Sequence, residues 1–225
     1  MRVLRHPAFR ALRKLSPFAA LLLAALPAGA ASPILFDDSW NEQRFALFSS
    51  NSYSFEGERL GVASDGTVSL VWRPVPETAW QARGASWHWS VSRSVPPTDL
   101  RRKGGDDRNL ALYFVFLPEA SAPEARRAGI RRLLDAEEAR VLAYVWGGPG
   151  GQPRFQDSPY LGPRGKTVAL RPAGDGGGAV AVDLAADHAC AFGAPPGALV
   201  GIAVSADSDD TATSIRADVS RLTLR

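Results

Sequence analysis

Leu110-Ala-Leu-Tyr-Phe-Val-Phe-Leu117 decides the fold class. Successive side chains on a β-strand point to opposite faces. Leu110, Leu112, Phe114 and Phe116 would therefore share one face, and Ala111, Tyr113, Val115 and Leu117 the other. Neither face reads as solvent-facing, so the run predicts a central strand covered on both sides. Upstream, Trp87-His88-Trp89-Ser90-Val91-Ser92 alternates apolar and polar, as a strand with one buried face does. Val68, Leu70 and Trp72 repeat that pattern, and residues 141–146, 167–170, 179–184, 199–205 and 219–224 add further strand-like runs.

Gly and Pro clusters punctuate the gaps, at Val95-Pro96-Pro97, residues 147–153, residues 174–178 and Ala194-Pro195-Pro196-Gly197. One segment has a different period. Ser121 with Glu124 forms a capping-box pattern, and residues 125–140 are good helix formers with a narrow apolar stripe, Ile130, Leu133 and Leu134. Its arginines predict a solvated outer face. The expected architecture is all-β: a jelly-roll-like antiparallel β-sandwich with one inserted surface helix at about residues 122–140, in a single domain over 31–225.

Residues 1–30 predict an export leader. Arg2, Arg5, Arg10, Arg13 and Lys14 form a basic region, residues 18–26 are apolar, and Ala28-Gly29-Ala30 offers a cleavage pattern. The nine-residue apolar run between Pro17 and Pro27 is too short to span a bilayer core of about 30 Å. A periplasmic or secreted location follows. Without the leader, Lys plus Arg fall from 26 to 21 against 23 acids, and the formal charge falls from +3 to −2. The basic footprint that a nucleic-acid partner requires is then gone.

Cys190 is the sole cysteine, so no intrachain disulfide can form, and its small apolar neighbours predict a buried, inert thiol. His88 and His188 are the histidines beyond the leader. His88 lies opposite two indoles on a strand and predicts a solvated side chain. His188 and Cys190 lack the further His or Cys that a tetrahedral zinc site needs, and no Gly-x-Ser-x-Gly elbow accompanies them.

Carboxylates are the better candidates. Asp106-Asp107 precede the central run, and Asp207-Ser208-Asp209-Asp210 follow another strand. Each cluster sits at a strand end, so the two are expected at one place on the sandwich. Asp107, Asp207 and Asp209 would suit Ca²⁺, which takes six to eight oxygens in irregular geometry. The alternatives are turn capping by Asp side chains and an ion-pair network with Arg108 and Lys103. Among the aromatic residues, Trp80 in a Pro-rich loop and Tyr160 in Ser158-Pro159-Tyr160 are placed where a sugar face could stack.

The order of these segments resembles an exported bacterial family, the domain of unknown function numbered 3047. It is carried by Trp87-His-Trp89-Ser-Val91, the stretch from Asp99 to Asp107, and Leu112-Tyr-Phe-Val-Phe116. Tyr144-Val-Trp146, Ser158-Pro-Tyr160, Asp187 with Phe192-Gly193, and Asp207-Ser-Asp209-Asp210-Thr211 continue it. Gly177-Gly178-Ala179 stands where the family pattern has Gly-Trp. The resemblance implies an exported β-sandwich and no particular activity. The residues themselves suggest a binding module for glycan or another polyhydroxylated ligand, with Asp106, Asp107, Asp207, Asp209, Asp210, Trp80 and Tyr160 as candidate contacts. The competing readings are a polysaccharide hydrolase using Asp107 or Asp209, for which two carboxyls must flank the bond, and a structural envelope protein.

Overall fold

The structure, a computed structural model, describes residues 32–125 and 129–225; the expected leader at residues 1–30 lies outside the described residues. The chain begins with β1 (Ser32–Pro33), β2 (Asn41–Arg44), β3 (Ser52–Phe55), β4 (Arg59–Asp65) and β5 (Val68–Pro74). Then come β6 (Gly84–Arg93), β7 (Arg108–Leu117), α1 (Ala122–Ala125), α2 (Ile130–Asp135), β8 (Arg140–Trp146), β9 (Phe155–Ser158) and β10 (Gly162–Arg171). It closes with β11 (Gly176–Asp183), α3 (Leu184–Phe192), β12 (Ala198–Asp207) and β13 (Ser214–Leu224).

Two sheets face each other. The larger runs β2-β5-β12-β7-β8-β10-β9, which puts β7 at its centre. The smaller runs β11-β6-β13-β4-β3, with β1 also paired to β13. All pairings are antiparallel except β8 with β10. This is an all-β sandwich, and the alternation of the two decisive runs explains its core. Trp87 and Trp89 of β6 point inward and meet Phe114 of β7 and Tyr144 and Trp146 of β8, with ring centroids 5.4–6.1 Å apart. Fully burying such side chains contributes about 1.5–3 kcal/mol each.

The other face of β7 explains the second half of its apolar pattern. At one end Val115, Leu117, Val141 and Val200 are covered by Ile130 and Leu133 of α2, the apolar stripe of that segment. At the other end Leu100 packs on Ala111 and Val145. Between these covers the outer surface of the large sheet is left as a cleft.

Three expectations need correction. The inserted helix is shorter than 122–140. It is described as α1 and α2, with Gly129 extended between them and Ala136 already extended after α2, and β8 begins at Arg140. A further helix, α3, follows β11, although a single inserted helix was expected. Asp183 caps it by accepting from the Ala186 N–H at 2.9 Å, and Gly193 ends it at φ +73°, a conformation that favours glycine. Cys190 lies on this helix and is exposed rather than buried: the helix buries Leu184, Asp187 and His188, and its small apolar neighbours do not cover the thiol.

Candidate functional site

The cleft on the outer face of the large sheet measures about 570 Å³. Its floor is open because small residues stand where the neighbouring rows carry bulk: Ala203 of β12 and Ala143 of β8, beside Tyr113 of β7. Leu100, Leu134 and Leu161 contribute to its apolar walls, and Phe45 also borders it. Ionisable groups, Asp106, Arg108, Asp207, Asp209 and Asp210 with Lys103, gather at one end of it.

That end is where the two acidic clusters meet. β7 and β12 are antiparallel neighbours, and Asp207 pairs in register with Arg108 after a bulge in β12. The Arg108 Nη1 donates to Asp106 Oδ2 at 2.8 Å and to Asp207 Oδ2 at 3.1 Å, and its Nη2 donates to the Tyr113 hydroxyl at 3.0 Å. The Tyr113 hydroxyl lies 3.1 Å from Ser205 Oγ, and the Tyr160 hydroxyl donates to Asp106 Oδ1 at 2.8 Å. Gly147 allows this crowding, since a Cβ there would meet the Arg108 Cβ at 2.9 Å.

Asp107 has a different job. It is fully buried, and it accepts from the Asp210 N–H at 3.3 Å, from the Thr211 N–H at 2.8 Å and from the Thr211 hydroxyl. It thereby fastens the 207–211 loop to the start of β7. Asp107, Asp209 and Asp210 bring carboxylate oxygens within 4.8 Å of one another, with Asp209 and Asp210 exposed. Donors already occupy both Asp107 oxygens, which reduces what it could offer a calcium ion. Asp207, the third expected calcium residue, is not in that group.

The electrostatics single out Asp207. Its carboxyl is pushed up to about 8: burial raises it most, Arg108 pulls it down, and Asp209 and Asp107 push it up again. A hydrogen bond with the Asp209 carboxyl, which needs a proton on one of the two, acts in the same direction. Asp207 is 4% exposed, and its Oδ1 is buried with no donor against it. Burial works against the charge of Arg108, but Tyr113, Asp207 and Asp106 together hold the guanidinium above its usual range. Burial raises the Tyr160 phenol, and its bond to Asp106 reinforces the shift.

The family model described as protein of unknown function DUF3047 matches residues 38–223. The chain belongs to the DUF3047 family. No curated protein matches it.

Of the residues expected at the site of this DUF3047 member, Asp106, Asp107, Asp207, Asp209, Asp210 and Tyr160 are brought together. Trp80 is not. Its indole N–H donates to the Val75 carbonyl at 3.0 Å, its ring packs against two apolar clusters, and it does not line the cleft. Tyr113 and Ser205 are cleft-end residues that the strand pattern absorbed; only their outward parity beside two acidic strand ends marks them. Tyr160 is 54% exposed, with the Lys103 Nζ 5.5 Å from its ring centroid.

His88 is half-buried on β6. His188 is buried, its Nδ1 2.7 Å from the Ala194 carbonyl, and its ring packs on Phe116 and Phe192. Burial lowers its basicity. A second buried acid, Asp187, accepts from the Tyr144 hydroxyl at 2.8 Å and from Arg154 at 2.7 Å, so it is satisfied within the fold.

Proposed function

We propose that this protein is a binding module whose ligand lies in the cleft on the large sheet. The ligand places a polyhydroxylated, glycan-like head at the Asp106–Asp207 end and an apolar portion along the floor. The observation that carries this reading is the cleft itself: about 570 Å³, floored by Ala143 and Ala203, apolar along its length and rich in hydrogen-bond acceptors at one end. Sugar hydroxyls are donors that carboxylates accept, and the exposed Tyr160 ring at the mouth suits the apolar face of a pyranose.

Short-chain alkyl glycosides test this below their micellar concentration. Octyl glucoside is expected to raise the melting temperature more than methyl glucoside does, because a ligand bound only by the native state stabilises it by mass action. Ala203→Leu, which fills the floor, is expected to abolish the shift. The reading fails if neither octyl glucoside nor neutral oligosaccharides shift the wild-type protein.

One observation favours a second reading, a carboxylate-based hydrolase. Asp207 holds its proton to about pH 8 beside Asp106, and the two share Arg108. In that reading the acid is Asp207, since Asp107 is committed to the Thr211 turn. Release of nitrophenol from nitrophenyl glycosides by the wild type, lost in Asp207→Asn, would favour it over simple binding.

A further inference from the structure

We propose that the head group held at the acidic end of the cleft carries a protonated amine, received by Asp207 with Asp106 and Asp209 beside it. This rests on the binding reading above and names the class of its ligand.

Charge is the first argument. Four acidic side chains, Asp106, Asp209, Asp210 and the proton-holding Asp207, line that end against Arg108 and Lys103. Lys166, also at the wall, is neutralised by Asp157. The second argument is an unmet acceptor. The Oδ1 of Asp207 is buried and has no donor, although the opposite oxygen is held by Arg108. A buried acceptor left unpaired costs about 1–3 kcal/mol, and more when it is charged. In the free protein the neighbouring Asp209 relieves this only when one of the two carboxyls keeps a proton. An ammonium offers three N–H donors and a full positive charge in place of that single proton.

Continuity decides between an organic cation and a bare one. The acidic end opens directly onto the apolar floor, so an amine on an apolar body can satisfy both parts at once, as a divalent ion cannot. The Tyr113 and Tyr160 hydroxyls are already directed at Arg108, Ser205 and Asp106, so they hold the acids in place rather than neutralise them.

Three ligands with one apolar body and different heads make the test: octylammonium, octyl glucoside and octanoate, titrated calorimetrically into the full folded protein at neutral pH. Octylammonium is expected to bind about tenfold more tightly than octyl glucoside, the change of one charge-assisted contact, and octanoate is expected not to bind. Asp207→Asn keeps the shape of the side chain. It is expected to weaken octylammonium far more than octyl glucoside, so that the preference between them is lost, and Ala203→Leu to abolish binding of both.

If octyl glucoside or octanoate binds as tightly as octylammonium, the amine is overturned and the binding reading stands. If none of the three binds, the amine is overturned, and the binding reading falls with it when neutral oligosaccharides also leave the melting temperature unmoved. If Ca²⁺ displaces octylammonium and by itself raises the melting temperature, the acidic end is a divalent-cation site and the amine is overturned.

Discussion

At Asp207 the native state holds a proton that the unfolded chain releases. Its carboxyl titrates near 8 when folded, against an ordinary value of 3.8, mainly because burial disfavours the charged form. The native protein therefore binds more protons than the unfolded one between those two values, and stability falls as pH rises through that window. Asp210 shifts in the same direction, again chiefly through burial. Asp207→Asn removes the larger of the two effects. The expected outcome is a melting temperature at or below that of wild type near pH 4, with the variant gaining steadily on wild type up to pH 8. Parallel melting curves across that range would show that Asp207 is ionised throughout. The sequence placed the two acidic clusters together because both end strands, and it supplied Arg108 as a partner by proximity. It could not say which acid would be solvated. Asp107 and Asp207 look alike in the sequence, yet one is saturated by the Thr211 turn while the other faces an arginine and a second carboxyl.

Among the elements, α2 shows how a short helix gains its place by covering a sheet rather than by propensity. It has six residues and no side-chain cap, so in isolation it would not form. Ile130 and Leu133 are each 2% exposed against Val115, Val141 and Val200, while Arg131 and Arg132 face outward. Leu133→Ala is expected to cost about 2–5 kcal/mol, the range for buried leucines, and Arg132→Ala less than about 0.5 kcal/mol, as for other exposed surface positions. Urea denaturation of the two variants checks this, and equal losses would mean that the stripe does not seat on the sheet. This amphipathic stripe was readable from spacing. The end of the helix was not, because Glu137 and Glu138 continue a helical composition while the chain has to turn at Ala136 to begin β8. The signals for α3, Asp183 as cap, an Ala-rich run and Gly193, were present but lay directly behind a strand-like alternation. The strand pattern ran one residue into it, to Leu184.

In the whole molecule, one strand pair serves both the core and the cleft. β7 and β12 lie at the middle of the large sheet; their inward residues Phe114, Phe116, Ile202 and Val204 build the core between the sheets. Their outward residues Tyr113, Ala203, Ser205 and Asp207 carry the floor and the acidic end. Site geometry is thereby tied to the best-buried part of the fold, where local opening is hardest. By contrast, β2 is an edge strand, and the 45–48 segment that follows it exposes Phe45, Leu47 and Phe48 beside the mouth of the cleft. Amide hydrogen exchange is expected to separate the two regions. β7, β12 and β8 should exchange only through global unfolding, and residues 41–48 should exchange orders of magnitude faster. A bound ligand should then slow exchange along 45–46 through contact at the mouth. Protection of β7 and β12 should rise only by the gain in global stability. If β7 exchanges as fast as the edge strand, the cleft floor opens independently of the core, and a site preorganised on that floor is excluded.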